Sequence, residues 1–120
     1  MDKYNYQKKP FIVPSEDGKI IEEHFGLLST NTDAYSIAHM IAPPGWSEPF
    51  QQPEFDEITF VISGRKMIEI DKKEIELIKN ESILIEKGST VRYSNPFEEE
   101  CEYISICIPA FSPKRAHRSD

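Results

Sequence analysis

The chain is predicted to be an all-β domain, on three observations. Sixteen isoleucines stand against five alanines and four leucines, and a branched Cβ packs well on a pleated surface but loses rotamers in a helix. Short stretches alternate apolar with polar residues, separated at even spacing by turn residues, as in a sandwich or barrel. No window carries apolar residues at a sustained helical period with a cap and a stop, so any helix should be a single turn.

In chain order, Phe11-Ile12-Val13 and Lys19-Ile20-Ile21 can form short strands around the turn Ser15-Glu16-Asp17-Gly18. Tyr35 to Ile41 makes a longer strand that stops at Pro43-Pro44. Ile58, Phe60 and Ile62 alternate with Glu57, Thr59, Val61 and Ser63, and Ile68 and Ile70 alternate with Met67 and Glu69, the period of half-buried strands. Asp71-Lys72-Lys73-Glu74 reads as a hairpin turn. Ile75 to Ile78, Ser82 to Glu86, Thr90 to Ser94 and Cys101 to Ile108 continue the series, and the tail from Pro109 to Asp120 is expected to be extended or irregular.

At 120 residues there is room for one core and no second domain. Residues 1–34 are expected to supply N-terminal strands and a candidate dimer contact, residues 35–110 the barrel, and residues 111–120 a tail. Fourteen basic against twenty-one acidic side chains give a net charge of −7, which repels phosphate backbones and anionic lipid. Nucleic acid and membrane are therefore poor partners, and a cationic or neutral small ligand suits the chain better. Neither an apolar leader nor a run long enough to span a bilayer is present in the sequence, so the expected compartment is the cytoplasm. Cys101 and Cys107 sit six positions apart on one expected strand, about 20 Å at roughly 3.3 Å per residue, which excludes a disulfide between them. Both read as buried free thiols.

Gly45-Trp46-Ser47-Glu48-Pro49-Phe50-Gln51-Gln52-Pro53-Glu54-Phe55-Asp56-Glu57, closing at Gly64, resembles the first signature of the cupin family with its histidines missing. Both glycines and Glu57 keep their spacing. The histidine positions fall on Gln51 and Pro53 in one register, or on Phe50 and Gln52 in the other. The segment Glu86-Lys87-Gly88-Ser89-Thr90-Val91-Arg92-Tyr93-Ser94-Asn95 is similar to the second signature, keeping Gly88 and Asn95 but placing Val91 where the third histidine would stand. Some similarity extends to ethanolamine-utilisation cupins, which also lack the histidines. The resemblance implies a jelly-roll barrel of two antiparallel sheets, a small-molecule pocket and a homodimer. A cupin metal centre normally uses three imidazoles and a carboxylate. With that set broken, no metal and no cofactor are expected.

Within such a pocket, Thr59 and Val61 share the face of Glu57, while Val91, Tyr93 and Asn95 share a face on the second motif. Gln51, Gln52 and Glu54 are placed near the mouth, and His39 and Trp46 are further candidates for the lining. Glu57, a carboxylate flanked by Ile58 and Phe60, is the candidate general base; the alternative is that it caps a backbone amide or pairs with Arg65 or Arg92. Tyr93 is the candidate acid opposite it, or else a core tyrosine with a satisfied hydroxyl. The expected function is a metal-independent cupin that binds a small polar metabolite and transfers a proton, in an isomerase, epimerase or lyase reaction. Two alternatives stand beside it: a non-catalytic binding or sensing module, and a divalent-metal enzyme using Gln51 or Gln52, Glu54, Glu57 and His39. The basic tail Lys114-Arg115-Ala116-His117-Arg118 is expected to dock on a partner subunit, with Phe111 seeking burial; the alternative is a mobile tail.

Overall fold

A computed structural model describes residues 3–119. Strands β1 (Phe11–Ile12), β2 (Ile20–Phe25), β3 (Ser36–Ala42), β4 (Asp56–Ser63), β5 (Lys66–Ile70), β6 (Lys73–Leu77), β7 (Ser82–Ile85), β8 (Val91–Ser94) and β9 (Cys101–Ile108) are joined by two single-turn helices, α1 (Leu27–Thr30) and α2 (Pro113–Ala116). They form a six-stranded sheet in the order β1-β2-β3-β9-β4-β7 and a three-stranded sheet in the order β6-β5-β8, every pairing antiparallel. The all-β expectation and the two-sheet architecture therefore hold. Among the described residues, no helix is long and apolar enough to cross a membrane.

Alternation set the faces of the central strands correctly. On β9, Cys101, Tyr103, Ser105 and Cys107 are buried while Glu102, Ile104 and Ile106 are partly exposed. Glu57, Thr59 and Val61 share the inner face of β4, and Phe60 points outward. The hairpin is tighter than expected: β6 begins at Lys73, because Asp71 and Lys72 both take left-handed backbone, with φ of 49° and 66°. Such a two-residue turn matches the right-handed twist of its strands, which a wider turn would splay.

The core divides into a base and an upper cluster. Trp46, Val61, Ile68, Leu77, Ile85, Val91, Tyr93 and Tyr103 fill the base. Phe55, Cys107 and Ala116 form the upper cluster, with Phe111 packed against it at a ring separation of 5.8 Å from Phe55. The tail thus packs on its own barrel where docking on a partner subunit was expected, and it is not wholly irregular, since α2 forms within it. Ser112 caps α2 by accepting from Arg115 N, and the Arg115 guanidinium reaches Ala110 O and Asp33 Oδ1. Gln51 and Arg118 then bridge the tail to the strand-like segment beside β8. Both cysteines are free and buried.

The outer face of the large sheet is unusual for its apolar surface. Leu84, Ile58, Ile106, Ile37 and Phe25 lie in lateral register across it, and Leu84 and Phe60 are 59% and 39% exposed. Beside that row His39 is held between two carboxylates, Nδ1 at 2.8 Å from Glu22 Oε1 and Nε2 at 2.6 Å from Glu102 Oε2. Burial opposes charging of this imidazole, but the hydrogen bonds to Glu102 and Glu22 outweigh it and raise its pKa above 6.5. The sign follows by linkage: the extra stability is present below the unfolded-state value and is lost as pH rises through the raised folded-state value. The stability difference between the native chain and His39→Gln, measured by urea unfolding, should be largest between the carboxylate range and pH 6.5 and should shrink above it. A difference that grows with rising pH would contradict this reading.

Candidate functional site

A cavity of about 300 Å³ opens between the sheets above the core base. Its position follows from side-chain size along the inward faces. On β9 the aromatic Tyr103 gives way to Ser105 and Cys107, and on β3 Ser36 and Ala38 stand in lateral register with them, leaving space that larger residues would fill. Val13, Ile21, Leu27, Phe55 and Phe111 supply apolar wall.

Glu57 lies in this cavity with both oxygens engaged. Ser105 Oγ donates to Oε2 at 2.5 Å, and Tyr93 Oη donates to Oε1 at 3.1 Å. Burial, together with the negative charges of Glu57 and Glu48, pushes the Tyr93 phenol well above its ordinary pKa. Tyr93 is therefore a protonated donor clamped to Glu57, and the two are in contact rather than separated by the width of a substrate carbon. A carboxylate holding two hydroxyl donors is fixed in orientation while keeping further lone pairs for a proton.

Three cations and two further carboxylates, Glu48 and the buried Glu23, whose Oε2 accepts from Ser29 N at 2.7 Å, add to the polar lining. Lys66, at the start of β5, is 2% exposed, with Nζ 3.5 Å from the centroid of the Tyr103 ring and 4.3 Å from that of Tyr93. Lys19 leaves the Ser15–Gly18 turn and lays its ammonium over Trp46 at 4.1 Å. Asp17 sets that geometry, since its Oδ1 accepts from Ser15 Oγ and Lys19 N while its Oδ2 accepts from Trp46 Nε1 at 2.6 Å. Burial lowers the pKa of both lysines, Lys66 to about 8. Glu48 has a side chain 8% exposed, and its Oε2 sits 3.6 Å from Arg118 Nη2. Its Oε1 is buried with no hydrogen-bond partner among the described residues, and desolvation raises its pKa.

Of the residues singled out from sequence, Glu57, Tyr93 and Gln51 meet in this cavity. The others lie elsewhere, for reasons alternation cannot reveal. Thr59, Val61 and Val91 are on the inward face but deeper, each fully buried beneath the cavity floor. Asn95 is a structural anchor, its Nδ2 donating to Ala42 O, Pro43 O and Glu99 O while Oδ1 accepts from Phe97 N. Gln52 is exposed and donates to Gly88 O, and Glu54 is exposed and paired with His117 of the tail. His39 is on the opposite face of the sheet. Trp46 belongs to the core base and touches the site through Lys19. Lys19, Glu48, Lys66, Ser105 and Arg118 were not singled out. The sharing of a strand face by Lys66, Ile68 and Ile70 offers a signal, since a lysine there must either bend outward or be buried.

The donor set does not fit a cupin metal centre. Gln51 and Glu57 are the only counterparts of the usual ligands that face the cavity, Val91 is walled into the core, and Lys19, Lys66 and Arg118 line the same cavity. Among the described residues, no three histidine, cysteine or acidic side chains converge as a metal would require. The atypical set of Gln52, Glu54, Glu57 and His39 is not brought together.

Two packed antiparallel sheets with a mixed polar cavity between them define a β-sandwich of the jelly-roll kind. Residues 38–107 match the cupin domain family, and the chain belongs to it. The chain is 44% identical over 110 residues to a protein from Myxococcus xanthus (strain DK1622) named endoribonuclease YbeY, covering 92% of this chain but only 37% of that protein's length. Among solved structures, Streptomyces Pac13 bound to uridine superposes with a TM-score of 0.76 at 12% identity, over 99% of this chain and 92% of that one. Pac13 is described as a nucleoside dehydratase. The Clostridium difficile EutQ protein superposes with a TM-score of 0.57 at 24% identity, over 76% of this chain and 68% of that one. These structural likenesses concern the fold.

Proposed function

We propose that this protein is a metal-independent cupin that binds a small polar metabolite in its barrel and moves a proton on it, with Glu57 as the base, in an isomerase, epimerase or lyase reaction. The observation that carries this reading is Glu57 itself, a carboxylate oriented by Ser105 and Tyr93 inside a cavity where Glu48 Oε1 lacks a partner among the described residues. A buried acceptor without a donor is costly in a folded protein, and a ligand hydroxyl or amide would satisfy it. Apolar walls on one side and charged groups on the other suit a molecule with a polar and a less polar edge. A dehydratase of the same fold supports lyase chemistry by analogy alone.

The endoribonuclease name attaches to a protein nearly three times as long as the matched segment, and the −7 charge of this chain is a poor match to RNA. We read the free buried thiols as suited to a reducing compartment, the cytoplasm. The apolar outer face centred on Ile58 and Ile106 favours a homodimer over the N-terminal strands as the main contact.

The test is a ligand screen by thermal shift, since binding to the native state stabilises it in proportion to occupancy. Hits are then followed by proton NMR in deuterated water. Exchange of a carbon-bound proton catalysed by the native chain and lost in Glu57→Gln is the expected result. A ligand that binds without exchange would instead make the protein a binding or sensing module.

A further inference from the structure

We propose that Lys66 captures its ligand covalently, forming a protonated imine with a small aldehyde or ketone, so that the substrate class is a carbonyl compound. This deepens the proposed function and rests on the same cavity. Lys66 is the most enclosed cation of the site and one of the residues that line the cavity. Among the described residues no carboxylate pairs with it and no acceptor takes its hydrogen bonds; its contacts are the faces of Tyr93 and Tyr103. A structural lysine at such a depth normally has an anionic partner. This one is presented to an open cavity on an aromatic floor, where desolvation and a neighbouring cation favour the neutral, nucleophilic amine.

The chemistry balances within the site. The free amine lone pair forms a bond to the carbonyl carbon while the C=O π pair moves to oxygen, giving a carbinolamine. That oxygen takes one proton from the amine nitrogen and a second from solvent, equivalent to the proton the Lys66 ammonium gave up on becoming the free amine. It leaves as water, while the nitrogen retains one proton as the iminium. The iminium then accepts the electron pair released when Glu57 takes a proton from the adjacent carbon, giving an enamine. Reprotonation and addition of water return the free lysine. Burial, opposed by Glu57 and reinforced by Lys19, brings the Lys66 pKa to about 8, so its free-amine fraction at neutral pH exceeds that of an exposed lysine by on the order of 10²-fold.

The experiment incubates the intact protein with glycolaldehyde or pyruvate and sodium cyanoborohydride, which delivers hydride to the imine carbon and fixes a secondary amine. Peptide mass mapping then follows each lysine over time. Lys66 should be modified severalfold faster than the exposed Lys72 and Lys87, and its rate should climb through pH 8 while theirs keep rising at higher pH. In Lys66→Arg, which keeps the charge, the fast phase should vanish with Lys72 and Lys87 unchanged; a matching thermal melt verifies the fold. Modification of Lys66 no faster than Lys72 overturns the proposal. If metabolites still shift the melting temperature and Glu57-dependent exchange persists in that case, the imine is wrong and the pocket reading survives; loss of both defeats the pocket reading as well.

Discussion

Glu57→Gln is expected to lower turnover by roughly 10²–10⁴-fold, the range that a positioned general base contributes, while leaving ligand affinity within a small factor. The substitution preserves side-chain volume and one carbonyl oxygen. An amide cannot accept from both Ser105 and Tyr93 through two oxygens as the carboxylate does, and it has no affinity for a carbon-bound proton. A drop in kcat with nearly constant thermal shift by ligand is therefore the signature sought. Tyr93→Phe should cost less, because Ser105 still orients the carboxylate. Turnover unchanged in Glu57→Gln would remove the base and with it the proposed chemistry.

Gly64→Ala is expected to be the most damaging single methyl in the chain. Gly64 closes β4 with φ of +79°, where any other residue is strained by about 1–3 kcal/mol. A Cβ there would collide with the carbonyl oxygen of Glu100 and lie 3.0 Å from Cys101 Cα. Both are backbone at the start of β9, so relief requires parting the β4–β9 ladder. Gly45→Ala is the control: φ is +80° there, but nothing lies within 4 Å of the added methyl. Urea unfolding should give a midpoint distinctly lower for Gly64→Ala than for Gly45→Ala at an unchanged slope. Equal losses would show that backbone conformation alone, and not the approach of Glu100, matters at Gly64.

Much of the fold was legible because strand periodicity is local. Cys101 to Ile108 was delimited correctly from alternation, and Glu57, Thr59 and Val61 were placed on one inward face. The same rule could not tell that Glu57 lines a cavity while Thr59 and Val61, two and four residues on, lie fully buried beneath it. Period two fixes which side a residue faces, and depth depends on what the opposite sheet places there. Asn95 shows the complementary limit. Alternation places it on the pocket-side face with Val91 and Tyr93, yet the carbonyls of Ala42, Pro43 and Glu99 claim its amide.

Electrostatics diverged most from the sequence reading. A net charge of −7 pointed to cationic or neutral ligands, whereas the cavity sets Lys19, Lys66 and Arg118 against Glu23, Glu48 and Glu57, three charges of each sign. Charges summed over a whole chain describe mostly solvated groups that salt and water screen, while a ligand in a cavity interacts with the few groups beside it at low dielectric. Composition, alternation and the two motifs by themselves determined the two-sheet barrel, the family and the identity of the pocket carboxylate. Tertiary structure alone decided which groups surround that carboxylate, because Lys19, Glu48, Lys66, Ser105 and Arg118 come from separate segments that only folding brings within reach of one another.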